Sequence, residues 1–181
     1  MRSNLQIRQI SLRGAMVWIS FIAGFLAMSK TAADRAAFQS IAVAKIDRTS
    51  GAVHYDYHLA APQWCIDLLG PDFFATVKSV SYFESGIYHP HAPENHRNYT
   101  AIQHFPHLEE VDIFNSYFPV DVLQGISGLQ RLRIEQNGLR DNDIDIISQL
   151  TTLRILKLPR NDITDAGAKK LAQLKNLSEL D

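Results

Sequence analysis

Leu129-Gln-Arg-Leu-Arg-Ile-Glu-Gln-Asn137 and Leu153-Arg-Ile-Leu-Lys-Leu-Pro-Arg-Asn161 state one pattern twice, 24 residues apart. A fixed period of this length signals stacked, equivalent units. The same offset leads forward to Leu177-x-x-Leu180, and an offset of 21 leads back to Leu108-x-x-Val111-x-Ile113-x-x-Ser116. Within a unit, Leu-x-x-Leu-x-Leu predicts a short strand whose alternate side chains point inward. The Asn at the ninth position carries both a donor and an acceptor, which suits it to backbone groups freed where the chain turns.

A helical signal follows each strand. Ile163-Thr164-Asp165 precedes Gly167-Ala168-x-x-Leu171-x-x-Leu174, a capping residue ahead of apolar positions at helical spacing. Leu139, Asp141, Ile144, Ile147 and Leu150 hold the equivalent places one unit earlier. Each unit reads as strand, turn and short helix, and none can bury its apolar face without a neighbour. The pattern resembles leucine-rich repeats of the ribonuclease-inhibitor type. That resemblance implies an α/β fold over residues 77–181, a short solenoid with a parallel sheet.

A solenoid shows apolar side chains and unpaired backbone at an open end. Asp181 follows directly on Leu180, where a further strand signature begins, so the expectation is a truncated end or one covered by another chain through self-association. At the other end, Phe73-Phe-Ala-Thr-Val77-Lys-Ser-Val80-Ser-Tyr82 reads as a degenerate first strand. The polar, proline-bearing stretch from Glu84 to Tyr99 reads as a loop. It accounts for the seven residues by which the step from Val77 to Leu108 exceeds one repeat.

With 181 residues, a net charge of -1 and 46% apolar residues, the chain suits one modest globular unit with an attachment, and gives no sign of nucleic-acid binding. One cysteine excludes an internal disulfide framework. It lies in Pro62-Gln-Trp-Cys-Ile-Asp-Leu-Leu-Gly70, a helix-like stretch closed by glycine, where a packed thiol is expected.

The attachment is the N-terminus. Residues 1–13 carry Arg2, Arg8 and Arg13, and Gly14 to Met28 is an uncharged apolar run ahead of Lys30, Asp34 and Arg35. The run is shorter than the roughly 20 residues that cross a bilayer. Snorkelling by Arg13, and the small residues from Ser29 to Ala33, lengthen it to a feasible transmembrane helix or signal anchor over 14–30, in contact with membrane lipid. A cleaved signal peptide with Ala27-Met-Ser29 as its site, and a buried soluble helix, are the rival readings. Apolar positions continue at helical spacing through Ala33, Ala36, Ala37, Ile41 and Ala44. The preceding arginines place the N-terminus in the cytoplasm and everything after Lys30 on the extracytoplasmic side.

Residues 31–76 read as a juxtamembrane helix to Ile46, a half-buried strand Val53-His-Tyr55-Asp-Tyr57, and an N-terminal cap region. The succession Ser11-Leu12-Arg13, Ala33 to Ile46, Gly51 to Tyr57, Pro62 and Trp64, and Leu68 to Phe74 resembles a group of membrane-anchored bacterial leucine-rich-repeat proteins. The chain departs from that group in having one glycine at Gly51 where a pair is usual, in Cys65, and in its end at Asp181. The resemblance implies a non-enzymatic interaction module for an unidentified protein or cell-surface ligand.

Candidate binding positions lie between the inward leucines, where side chains project from the concave sheet: Glu110, Asp112 and Phe114; Arg131, Arg133 and Glu135; Ile155 and Lys157; Glu179 and Asp181. Parallel, in-register strands set Glu110 and Asp112 against Arg131 and Arg133, and bring Lys157 toward Asp181. These charges serve either binding or register, and Phe114 and Glu135 have no obvious neutralising neighbour. His89, His91, His96, His104 and His107 are close in sequence, yet Glu94 is the only nearby carboxylate and no cysteine joins them. Three or four ordered ligands are needed for zinc. No metal, cofactor or catalytic residue is therefore expected; a metal-dependent hydrolase on this histidine loop is the remote alternative.

Overall fold

The computed structural model describes residues 12–47, 51–56, 62–83 and 99–181; for residues 12–19, 21–29 and 47 the backbone alone is described. Among the described residues a six-stranded sheet runs in chain order: β1 (Gly51–Asp56), β2 (Thr76–Phe83), β3 (Glu110–Phe114), β4 (Arg131–Glu135), β5 (Ile155–Lys157) and β6 (Glu179–Leu180). β1 is antiparallel to β2, and every later pair is parallel.

The register repeats the arithmetic of the sequence. Val80, Val111, Leu132, Leu156 and Leu180 form one row across β2 to β6, displaced by 31, 21, 24 and 24 residues. In-register parallel pairing requires each repeat to place its inward residues above those of the last, and Leu108, Val111, Ile113, Leu129, Leu132, Ile134, Leu153 and Leu156 are all 1% exposed or less. Burying such a side chain contributes about 1.5–3 kcal/mol.

The short helices expected are present after β4 and β5 but not after β3. β3 returns through a 3-10 turn, Val120–Leu123. β4 is followed by α4, only Ile144–Ile147, and β5 by α5, Asp165–Lys170, with a 3-10 turn at Leu171–Gln173. Thr164 caps α5, its side chain accepting from the Ala166 N–H at 3.2 Å. Ala168, expected inside, is exposed, while Gly167, Leu171 and Leu174 of the same segment are buried.

The ninth-position asparagines satisfy the turn backbone. Asn137 accepts from Phe118 N at 2.8 Å and donates to Phe118 O at 3.0 Å. Asn161 accepts from Asn137 N and Leu139 N, both at 3.1 Å, and donates to Ile134 O at 2.7 Å. Each asparagine thus closes the turn of the repeat before it. Immediately ahead of Ser116, Asn137 and Asn161, the residues Asn115, Gln136 and Arg160 take positive φ values of 48°, 50° and 57°. The same turn recurs three times.

At the N-terminal end the first strand is covered rather than open. Helix α1, Leu12–Asp47, is a single 36-residue element that joins the apolar run to the expected juxtamembrane helix. Ala36, Gln39, Ala42 and Ile46 are its buried stripe. Gln39 is polar, yet its Nε2 donates to Asp72 Oδ1 at 2.9 Å and Ala75 O at 3.0 Å, and its Oε1 accepts from Val77 N at 3.4 Å. Tyr82, Tyr99 and Phe118 pack edge-on or tilted between β2 and the next repeat, with centroids 5.0–6.4 Å apart.

Four expectations change in detail. Phe73 and Phe74 belong to a short helix, α3 (Pro71–Phe74), and the first strand starts only at Thr76. The 53–57 strand is β1, beginning at Gly51, with a bulge between His54 and Tyr55; Tyr57 lies outside the described residues. Of the stretch read as a loop, residues 84–98 lie outside the described residues, and Tyr99 is buried at the start of a 3-10 helix, Tyr99–His104. Its hydroxyl donates to Ser116 O at 2.5 Å, which draws it inward. The glycine-closed stretch is α2, Gln63–Leu69, ended by Gly70 at φ 80°, but none of its residues is buried and Cys65 is only half-buried.

Among the described residues no helix is long and apolar enough to cross a membrane. Residues 1–11, with Arg2 and Arg8, lie outside the described residues, as do the side chains of Arg13 and of Gly14 to Met28 apart from Ser20.

Candidate binding face

Three rows of side chains cross the concave face of the sheet. The first holds Ser79, Glu110, Arg131, Ile155 and Glu179; the second Ser81, Asp112, Arg133 and Lys157; the third Phe83, Phe114 and Glu135. The expected residues are therefore brought together in the expected register, with about 4.8 Å between neighbouring strands.

Their charges pair differently from expectation. Glu110 does face Arg131, at 3.7 Å with both side chains about half exposed, where such a pair contributes about 0–1 kcal/mol. Arg133, however, turns along its own strand to Glu135 at 2.6 Å rather than across to Asp112. Lys157 meets Glu179 at 2.6 Å, not Asp181. Glu135, which the spacing left without a neutralising neighbour, has two: Arg133, and Arg160 at 3.2 Å. The reason lies in burial. Glu135 is 8% exposed, and a carboxylate that far from water draws in the nearest guanidinium groups.

Among the described residues Asp112 has no ion pair; it lies half-buried in the middle row beside Ser81 and Arg133. Directly above it sits Phe114, half-buried, with Phe83 in register on β2 and 52% exposed. Tyr117, at a positive φ of 48°, adds a third aromatic ring, 54% exposed, at the turn after β3. Phe83 and Arg160 escaped the sequence reading. Phe83 is legible once the 31-residue displacement of β2 from β3 is applied to Phe114. Arg160 is not, since its reach depends on the left-handed turn that lifts it toward Glu135.

Chemically the face is an aromatic rim over a free carboxylate, flanked by neutralised charge. No group of three or more His, Cys, Asp or Glu among the described residues is placed to hold a metal ion. His104 and His107 are exposed; His89, His91 and His96 lie outside the described residues. A hollow of about 430 Å³ opens on the opposite side, between Gln124–Ser127 and the Ile146–Thr152 stretch, and its lining has no titratable side chain to act as acid or base. The groups with shifted acidity are elsewhere. Burial, with Tyr99 alongside, raises the Tyr82 phenol well above its ordinary value. Hydrogen bonds from the Thr164 hydroxyl and N–H lower the Asp141 carboxyl.

No curated protein and no solved structure matches the chain. A family model described as Leucine Rich repeat matches residues 149–172, which span the end of one repeat, β5 and α5, and this supports reading the chain as a leucine-rich-repeat protein, a scaffold generally used for binding proteins.

Proposed function

We propose that the chain is a non-catalytic interaction module that presents its concave face, outside the cytoplasm, from an N-terminal membrane anchor. The observation that carries the binding site is Asp112, which among the described residues has no ion pair and lies in the row next to Phe114 and Phe83, while the charges around it are neutralised. An aromatic rim over a carboxylate suits a polypeptide segment with a lysine or arginine next to an aliphatic or aromatic side chain. A peptide library displayed against the full chain in nanodiscs should enrich such segments. Asp112→Asn and Phe114→Ser should each lower their affinity at least about tenfold without changing the melting temperature. Peptides indifferent to both substitutions would place recognition elsewhere.

The anchor is supported by the uncharged run Gly14 to Met28, by Arg2, Arg8 and Arg13 before it, and by the helical backbone from Leu12 onward. A reporter fused after Asp181 should lie outside the cytoplasm, and the protein should stay with membranes at high salt. Release by salt alone rejects the anchor. A second reading is self-association through β6, which among the described residues has no strand on its outer side and whose Leu180 is 54% exposed; a dimer in sedimentation that Leu180→Lys abolishes would support it.

A further inference from the structure

We infer that Asn137 is a conformation-gated modification site: the repeat stack holds back its deamidation, and opening of the stack at this turn lets the reaction proceed, irreversibly. Asn137-Gly138 is the one Asn-Gly pair in the sequence. Asparagine is a thermolabile residue, and glycine is its most reactive neighbour, because no Cβ shields the nitrogen that attacks. The chemistry needs only water. The Gly138 nitrogen bonds to the Asn137 Cγ, its proton leaves with Nδ2 as ammonia, and a cyclic imide closes. Water then opens the ring. Attack at Cγ gives aspartate; attack at the main-chain carbonyl leaves the chain linked through Cγ, as isoaspartate.

Bulk does not protect the pair. Gly138 is exposed, and beyond its chain neighbours no heavy atom lies within 4 Å of the place where a Cβ on it would stand. The brake is a set of hydrogen bonds in two halves. The electrophile is tied to the repeat before: Asn137 Oδ1 accepts from Phe118 N at 2.8 Å and Nδ2 donates to Phe118 O at 3.0 Å, so the carboxamide is not free to rotate. The nucleophile is tied to the repeat after: Asn161 Oδ1 accepts from Asn137 N and Leu139 N, both at 3.1 Å, and so clamps the backbone on either side of Gly138. Ring closure requires the carboxamide carbon and the glycine nitrogen to meet, and each is held by a different neighbour. Parting Asn137 from Phe118 is a local opening, which costs less than unfolding the whole domain. Asn161 holds the equivalent place one repeat later, but the residue after it is Asp162, whose side chain hinders the attacking nitrogen.

Either product keeps the turn from closing as before. In aspartate an oxygen replaces Nδ2 and faces the Phe118 carbonyl, acceptor against acceptor, and a charge enters a place 7% exposed. Isoaspartate also lengthens the backbone between the two N–H groups that Asn161 holds. The turn released is Asn115 to Phe118, which carries Tyr117 and which the Tyr99 hydroxyl still holds at Ser116 O.

The full chain in nanodiscs is aged at mildly alkaline pH beside the same chain in concentrated urea and the free peptide Glu135-Gln-Asn-Gly-Leu-Arg140, and conversion of Asn137 is followed by peptide mapping with mass spectrometry. In the folded chain it should be at least about tenfold slower than in either control. Asn161→Ala frees the Gly138 side alone and should raise the folded rate severalfold, while Asn115, which precedes Ser116, converts no faster and so shows that the domain remains folded. Asn137→Asp, the mimic of one product, should lower the melting temperature, with Asn142→Asp at an exposed position as the neutral control. Equal rates in the folded chain and the peptide would overturn the gate, as would an Asn161→Ala rate that rises only in step with Asn115. An unchanged melting temperature in Asn137→Asp would overturn the irreversible release of the turn.

Discussion

Two tyrosines in one aromatic cluster have opposite accounts at the level of their hydroxyls. Tyr99 donates to Ser116 O at 2.5 Å, whereas the Tyr82 hydroxyl is buried with no hydrogen-bond partner. A buried polar group without a partner forfeits its hydration for nothing, and a satisfied one contributes about 0.5–1.5 kcal/mol. Tyr99→Phe should therefore destabilise by about 1–2 kcal/mol, and Tyr82→Phe should leave stability unchanged or raise it by up to about 1 kcal/mol, read by urea melts. Asp141 gives a pH signature. Its Oδ1 accepts from Thr164 N at 2.9 Å and its Oδ2 from the Thr164 hydroxyl at 2.6 Å, and its folded pKa is lowered from 3.8. A depressed carboxyl supplies its stabilisation in full above the unfolded value and loses it as pH falls through the folded one. The gap in melting temperature between the native chain and Asp141→Asn should thus be largest near neutrality and shrink below pH 3.8; a gap that does not change with pH would mean that the carboxylate's charge is irrelevant to the cap.

Among the elements, the strands were legible, while of the side-chain partners across them only Glu110 with Arg131 was. A periodic Leu-x-x-Leu-x-Leu sets inward and outward faces by geometry alone, so the row from Val80 to Leu180 could be counted out in advance. Which oxygen an arginine seeks depends on local dielectric and reach. The step from Asp112 to Arg133 across β3 and β4 is short, yet Arg133 bonds Glu135, two residues along its own strand, because Glu135 is the buried carboxylate. On the convex side the helix reading held after β4 and β5 and failed after β3. A 21-residue repeat leaves too little chain after β3 for more than the turn at Val120–Leu123. A double-mutant cycle separates the two pairings. Asp112 with Arg133 should show coupling below about 0.3 kcal/mol, and Arg133 with Glu135 about 0.5–2 kcal/mol, in denaturant melts. Strong coupling at Asp112 would return it to a register role and take it out of the proposed binding site.

Across the whole molecule, stability passes from repeat to repeat, because no strand has a core of its own. Leu156 is fully buried and sits in the row between Leu132 and Leu180. Removing three carbons there leaves a cavity shared by adjacent units, at a cost of about 2–5 kcal/mol. In a stack with nearest-neighbour coupling the loss need not stay local. β5 is held to β6 by only two register pairs, Ile155 with Glu179 and Leu156 with Leu180, whereas β2 and β3 share five. The N-terminal repeats are further braced by α1 and the Tyr82–Tyr99–Phe118 cluster. Leu156→Ala should therefore free the C-terminal repeats first, so that amide exchange quickens in β5 and β6 well before it does in β2 and β3. If all strands instead lose protection together, the repeats form one cooperative unit, and the concave face from Phe83 to Glu179 is as rigid at its far edge as at its capped end.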